Sequence, residues 1–272
     1  MKKKILALGV MALPFCTEAY EGTIAQSGSC GATDADCHYD LYENGHLEIY
    51  GTGEMQDYSS ASPSYPWKSN VTDINILGVT SIGIAAFYHT DITNLTIPNS
   101  VEQIGRYAFA WSPLQKIDIP NSVEEIGADA FRGSHLIDII IPASVQKIGT
   151  GALSYCNHLE TLIIDGNTEL ENIFQSAIDS DPTFFNFDNF KMYCSVANTS
   201  CRTTLQQAGA TETQITNILR TYVKDGNRYI FEGKSYKTLS DMQNRIPVKR
   251  IYTIDEANAV AGEKNRVSIK YR

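Results

Sequence analysis

The residues of this chain that could do chemistry are its cysteines, its loop histidines and its paired acids. Cys30 and Cys37 are separated by six residues, and so are Cys194 and Cys201. In an oxidising compartment close pairs form disulfides, each closing a short loop. Zinc is the rival chemistry. Zinc cysteines are commonly separated by roughly two to four residues, whereas these pairs are wider and flank opposite ends of a repeated stretch. The spacing therefore predicts Cys30–Cys37 and Cys194–Cys201. Cys156 stands alone and reads as a buried free thiol. His89, His135 and His158 lie in successive variable loops, where a metal site is conceivable. Their offsets within the repeats differ, so they read as solvated loop residues and no metal is assigned. The acid pair Glu124-Glu125 reads as solvated. There is no P-loop, no G-x-S-x-G and no H-E-x-x-H, so neither an enzyme nor a cofactor is expected.

The element that must position these residues is periodic. From Val79 the chain repeats V-x-x-I-G-x-x-A-F, a short variable loop, then L-x-x-I-x-I-P-x-S. The copies start at Val79, Val101, Val123 and Val145, a period of 22 residues. A fixed period of this length means a solenoid. Ile82, Ile104, Ile126 and Ile148 form one column, and Ala86, Ala108, Ala130 and Ala152 another. Phe87, Phe109, Phe131 and Leu153 stand beside the alanines. One repeat cannot bury these side chains, but stacked neighbours can. Gly83, Gly105, Gly127 and Gly149 mark a corner, through positive φ or crowded backbone. Leu95-Thr96-Ile97, Ile117-Asp118-Ile119 and Ile139-Ile140-Ile141 alternate as half-buried strands. Pro98, Pro120 and Pro142 close them, and Ser100, Ser122 and Ser144 are expected to bond turn backbone.

The stretch IPNSVEQIGRYAFAWSPLQKIDIPNSVEEIGADAF and its neighbours closely resemble the BspA-type leucine-rich repeat, over roughly half the chain. The resemblance implies an exported surface or secreted binding protein of bacteria or protists, some members of the family being adhesins for extracellular-matrix proteins. It carries over no catalytic residue. The expected architecture is a β-rich leucine-rich-repeat solenoid with an N-terminal β cap and a small C-terminal α+β module.

Residues 1–19 read as a secretory signal peptide. Lys2, Lys3 and Lys4 precede an apolar run from Ile5 to Phe15 that is too short to span a membrane. A lipoprotein site at Cys16 is the alternative, against which Phe15 departs from the usual pattern. No transmembrane span is expected in the mature chain. Residues 20–70 read as a cap: Asn44-Gly45 signals a hairpin turn, and Pro66-Trp67 plugs the open end of the core. Trp67 as a ligand-stacking residue is the functional alternative. Val71, Ile74 and Ile76 supply a first strand. The solenoid is assigned to 71–201. A fifth, eroded copy keeps Leu170, Ile173, Ala177 and Ile178 but has Phe174 at the glycine place. An aromatic insertion (Phe184, Phe185, Phe187) precedes its strand at 190–194. Residues 202–272 read as the α+β module. Asp225-Gly226 marks a hairpin, short helices are expected near 238–245 and 253–260, and strands near 250–253 and 267–271.

Charge is uneven. Residues 20–219 hold 7 basic against 24 acidic residues, and residues 220–272 hold 12 against 6. An acidic solenoid argues against nucleic acid. Either the basic module docks on acidic solenoid surface or on an anionic cell-surface polymer, or its charge is simply solvated on a small domain. Alternation places Asn75, Thr96, Asp118, Ile140 and Ile163 in one outward column, and Thr72, Thr93, Gln115, Ile137 and Glu160 in another. Thr96, Asp118, Ile137, Ile140 and Ile163 are the candidate binding residues, for a protein or cell-surface macromolecule such as a host matrix protein. Ile137, Ile140 and Ile163 make an apolar end that is either a contact site or covered by the chain's own C-terminal part. These features imply an exported, extracellular or cell-surface protein (periplasm being the alternative) that binds a macromolecule. An envelope scaffold is the second reading.

Overall fold

The structure is a computed structural model. It describes residues 20, 22–31, 33, 36–60, 65–67, 71, 73–166, 168–170, 173–174, 190–225, 228–232, 234–236, 238 and 242. The expected leader, Cys16, Thr72, Ala177 and Ile178, the Phe184–Phe187 insertion, Gly226 and everything expected beyond residue 242 lie outside them.

The chain opens with β1 (Ile24–Ser29), β2 (Cys37–Tyr42) and β3 (His46–Gly51), an antiparallel meander. Gly45, at φ 84°, makes the β2–β3 turn expected from Asn44-Gly45. Then come β4 (Asp73–Leu77), β5 (Ser81–Ile82), β6 (Asn94–Thr96), β7 (Gln103–Ile104), β8 (Lys116–Asp118), β9 (Glu125–Ile126), β10 (Asp138–Ile141), β11 (Lys147–Ile148), β12 (Thr161–Ile164), β13 (Glu169–Leu170) and β14 (Lys191–Ser195). Helices α1 (Ser200–Gln207) and α2 (Glu212–Ile218) follow, and β15 (Leu219–Asp225), β16 (Arg228–Phe231) and β17 (Lys234–Tyr236) end the described chain. Two sheets result. One has twelve strands in the order β1-β2-β3-β4-β6-β8-β10-β12-β14-β15-β16-β17, parallel from β3 to β15. The other has five two-residue strands, β13-β11-β9-β7-β5.

The core lies between these sheets and the Ala-Phe segment. Ile82, Ile104, Ile126 and Ile148 are all buried. Phe87 and Phe109 stack at 5.4 Å, and Phe109 and Phe131 at 5.6 Å, within 11° of parallel. Each buried ring is worth roughly 2–3 kcal/mol of transfer free energy, with offset stacking added. The Ala-Phe segment also pairs from coil to coil. The Phe87 amide donates to the Ala108 carbonyl, Phe109 to Ala130 and Phe131 to Ala152, at 2.8–2.9 Å.

The corner glycines are required by crowding and not by φ. A Cβ on Gly127 would sit 2.6 Å from the Arg106 nitrogen, and one on Gly149 2.3 Å from the Ala128 nitrogen. The left-handed positions come two residues later, at Ala85, Tyr107, Asp129 and Gly151, and again at His89, Trp111, Gly133 and Tyr155. The serines divide. Ser122 donates to the Val101 carbonyl at 2.7 Å, while the Ser100 and Ser144 hydroxyls are buried with no hydrogen-bond partner among the described residues.

Both ends are closed. Trp67 is fully buried and donates its indole N–H to the Ala86 carbonyl at 3.0 Å. Its ring lies among Tyr39, Tyr58, Tyr65 and Phe87, so it is unavailable to stack on a ligand. At the other end Phe174 and Phe190 meet edge to face at 5.6 Å. Here α1 and α2 close the last coil. Thr204 donates to the Leu170 carbonyl, and Thr211 and Gln214 form a capping box on α2. The domain boundary expected after residue 201 falls inside α1, and β15 continues the sheet beside β14.

Candidate binding surface

Alternation in β2 to β15 turns every second side chain away from the core, and these form the outer face of the long sheet. Its N-terminal end is polar and interlocked. Tyr42 donates to Glu48 at 3.0 Å, Tyr50 to Asp40 at 3.3 Å, and His46 Nδ1 meets Asp73 at 2.7 Å. Tyr20 stacks on the His46 ring at 3.8 Å. Burial, then the Asp40 charge, pushes the Tyr50 phenol up to about 12. Burial, then Glu48, raises Tyr42 as well. These phenols are donors held to carboxylates, so they present hydrogen-bonding edges and no acid–base catalyst near neutrality.

The middle of the face is open. Thr96 and Asp118 are exposed and sit directly opposite one another on β6 and β8. Thr93, Gln115, Ile137 and Glu160 are exposed beside them, with Ile137 at 40%. The backbone joins this second column: Ile137 N–H donates to the Gln115 carbonyl and Glu160 N–H to the Ile137 carbonyl, at 3.0 and 2.9 Å.

The C-terminal end is covered. Ile163 is fully buried with Tyr193, Tyr222, Phe231, Tyr236 and Met242 in a second apolar cluster, and Ile140 packs half-buried against it. Ile163 is thus removed from the candidate contact residues, because β15 to β17 fold over it. Asp165 anchors the cover. It accepts from Lys224 Nζ at 3.1 Å and Tyr229 Oη at 2.8 Å. Tyr222 Oη donates to the Ile164 carbonyl at 2.6 Å. A single acidic side chain, unremarked in the sequence, holds basic C-terminal strands to the acidic solenoid. Asp165 lies one residue past β12, and only its parity with Thr161 and Ile163 could have signalled it.

The remaining chemistry-bearing residues are dispersed. Cys30–Cys37 and Cys194–Cys201 are bonded at 2.02 and 1.99 Å, the first tying β2 to the turn after β1, the second tying β14 to α1. Cys156 is buried and unbonded. Burial pushes its thiol up to about 11, and its S–H points to the Phe131 carbonyl at 3.1 Å. The His135 and His158 rings meet at 5.0 Å, but His89 stacks on Trp111 instead. No group of three His, Cys, Asp or Glu side chains among the described residues could hold a metal ion. Glu125 pairs with Lys147 at 3.0 Å, one coil away, and has no acidic partner to poise. Among the described residues no helix is long and apolar enough to cross a membrane.

Residues 80–203 match the BspA type leucine-rich repeat region, in six copies. The repeat region belongs to the BspA-type leucine-rich repeat family. A BspA-type repeat is a surface-protein repeat, consistent with a protein-binding role. Among solved structures, a leucine-rich repeat protein from Eubacterium ventriosum is 27% identical, over 54% of this chain and 45% of its own, with a TM-score of 0.41. The pneumococcal vaccine antigen PcpA is 17% identical, over 77% and 55%, at 0.36. A T. pallidum leucine-rich repeat protein is 18% identical, over 64% and 93%, at 0.37. The chain therefore spans about half the length of the first two structures. No curated protein sequence matches it.

The BspA-type pattern accounts for the Ile, Gly, Ala and Phe columns. It leaves unassigned the variable loop between Phe and the next strand. That is where the side chains missed by the outward-column reading lie: Trp111, Arg132 and Tyr155.

Proposed function

We propose that this is a non-enzymatic binding protein, exported to the cell surface or medium of a bacterium, that contacts a macromolecular partner through the outer face of its repeat sheet. The division into a leader (1–19), cap (20–70), repeats (from 71) and a basic C-terminal part is part of the proposal, with the boundary between the last two moved beyond α1, which a cut at 201/202 would split. The observation that carries it is the open strip of Thr96, Asp118 and Ile137. It combines a hydroxyl, a carboxylate and an exposed aliphatic residue on rigid strands, between one end locked by Tyr-carboxylate pairs and another sealed by β15 to β17. Rigid elements hold contact residues without an ordering cost on binding. Disulfides support an oxidising compartment, and the family is one of surface repeats. An adhesive partner such as a host matrix protein is the specific form of this reading.

The test is surface plasmon resonance of the mature chain over immobilised extracellular-matrix proteins. The double variant Asp118→Arg with Ile137→Asp is expected to lose binding while keeping its unfolding midpoint. Unchanged binding would remove the sheet face from the proposal. A second reading, self-association within an envelope scaffold, is favoured by β1. It pairs only with β2 among the described residues, and four of its six residues are exposed. An open edge of this kind invites strand addition. Sedimentation velocity at increasing concentration separates the two.

A further inference from the structure

The 22-residue register places His89, Trp111, Gly133 and Tyr155 at one position of successive coils, and all four have left-handed backbone, with φ from 55° to 65°. Glycine adopts this conformation freely, whereas bulky side chains adopt it at a cost. Here three of the four places carry aromatic rings. Strain of this sort, repeated in register on an exposed edge, points to a use for the rings.

The geometry makes a row of them. Gly133 is the gap that lets Trp111 lie down, since a Cβ there would meet the indole at 2.4 Å. Trp111 thereby reaches across a coil. Its ring is 6.0 Å from His89, inclined at 14°, and 5.8 Å from Tyr155. Arg132 stacks on both, 5.7 Å from the Trp111 ring and 4.7 Å from Tyr155. Beneath them the carboxylate of Asp129, completely buried, faces the Arg132 guanidinium at 3.5 Å and holds the arginine in place. Trp111 is 38% exposed, whereas the chain's other tryptophan is fully buried.

We propose that this edge binds a linear glycan of uncharged pyranose units. Aromatic faces carry negative quadrupole density, which attracts the axial C–H groups of a pyranose ring, and rings about 6 Å apart along the coils match successive sugars. A glycan suits this edge because its exposed groups are ring faces with a hydrogen-bonding imidazole beside them, which take C–H and hydroxyl groups together. Trp111 is exposed beside His89, and His135, Asn157 and His158 in the neighbouring variable loops are exposed as well. A polyanionic glycan is disfavoured by the net −17 of residues 20–219. The proposal is independent of the sheet face.

Tryptophan emission of the full chain, titrated with chitohexaose and with cellohexaose, tests it, because Trp67 is shielded and Trp111 is not. A saturable change in emission is expected with at least one of them. By calorimetry, Trp111→Gly, which suits the backbone, is expected to weaken binding about tenfold or more with the unfolding midpoint retained, and Tyr155→Ala several-fold. Asp118→Arg with Ile137→Asp is expected to leave it unchanged. Absence of binding to both oligosaccharides, binding only to an oligogalacturonate control, or an unaltered titration in Trp111→Gly would overturn the proposal.

Discussion

At the scale of single residues, the fold depends on atoms that are missing as much as on those present. Each repeat glycine lets two coils approach until a methyl group would overlap backbone. Gly149→Ala places a Cβ 2.3 Å from the Ala128 nitrogen, and backbone cannot rotate aside as a side chain can. We expect a loss of about 3 kcal/mol, read as a lower urea midpoint, and a midpoint within error of the parent would contradict the crowding argument. Cys156 offers a second check. Its thiol, raised by burial to about 11, is neutral and inaccessible at pH 8. It should resist alkylation in the native chain and react fully in urea. The linkage sign follows: the unfolded thiol ionises first, so the contribution of Cys156 is complete below about pH 9 and is lost as pH rises through about 11. The serine columns show where reading residue by residue stops. Ser100, Ser122 and Ser144 are identical in the sequence pattern, and the valine one coil back is the same each time, yet only Ser122 has a hydrogen bond to that backbone.

At the scale of elements, the columns of Ile, Ala and Phe were legible because burial between coils demands the same residue at the same place each time. The hairpin at Asn44-Gly45 was legible because its backbone needs positive φ. The second sheet was not. Its strands are two residues long, too short to express an alternation. Helix α2 was legible in its Thr211-x-x-Gln214 capping box, whereas α1 sets Arg202, Leu205 and two glutamines against a serine, a cysteine and two threonines and is held by Thr204 and the Cys194–Cys201 bond. The loop-edge rings share a 22-residue register, but the sequence does not show them as neighbours, because Trp111 reaches past Gly133. Disulfides act on elements too. Each closes eight residues, which restricts the unfolded chain by about 2.5 kcal/mol. Cys194→Ser with Cys201→Ser should therefore fray α1 by hydrogen exchange before it affects β6 to β10. Equal loss of protection in both places would mean the solenoid unfolds as one unit.

At the scale of the molecule, a solenoid is stabilised by contacts between nearest neighbours, so its ends and covers can open without the middle. The C-terminal strands are such a cover. They join a basic segment to an acidic one through Asp165, which receives Lys224 and Tyr229 beside the buried Tyr222. Asp165→Ala removes a charged acceptor from these donors, and hydrogen bonds to a charged group contribute roughly 1.5–3 kcal/mol each when well buried. Lys224 is partly exposed, so its share is small. Exchange of amides in β15 to β17 should quicken at least tenfold, while β6 to β10 stay protected. Alkaline pH should do the same in the parent. Burial and then Asp165 raise the Tyr222 phenol above the ordinary tyrosine value, so its stabilisation is present below about pH 10 and is lost as the pH climbs beyond it. If the cover opened in Asp165→Ala and the open strip around Ile137 then grew to include Ile140 and Ile163, the variant would bind apolar partners more strongly than the parent. Binding reduced by opening would mean instead that the cover itself supplies contacts.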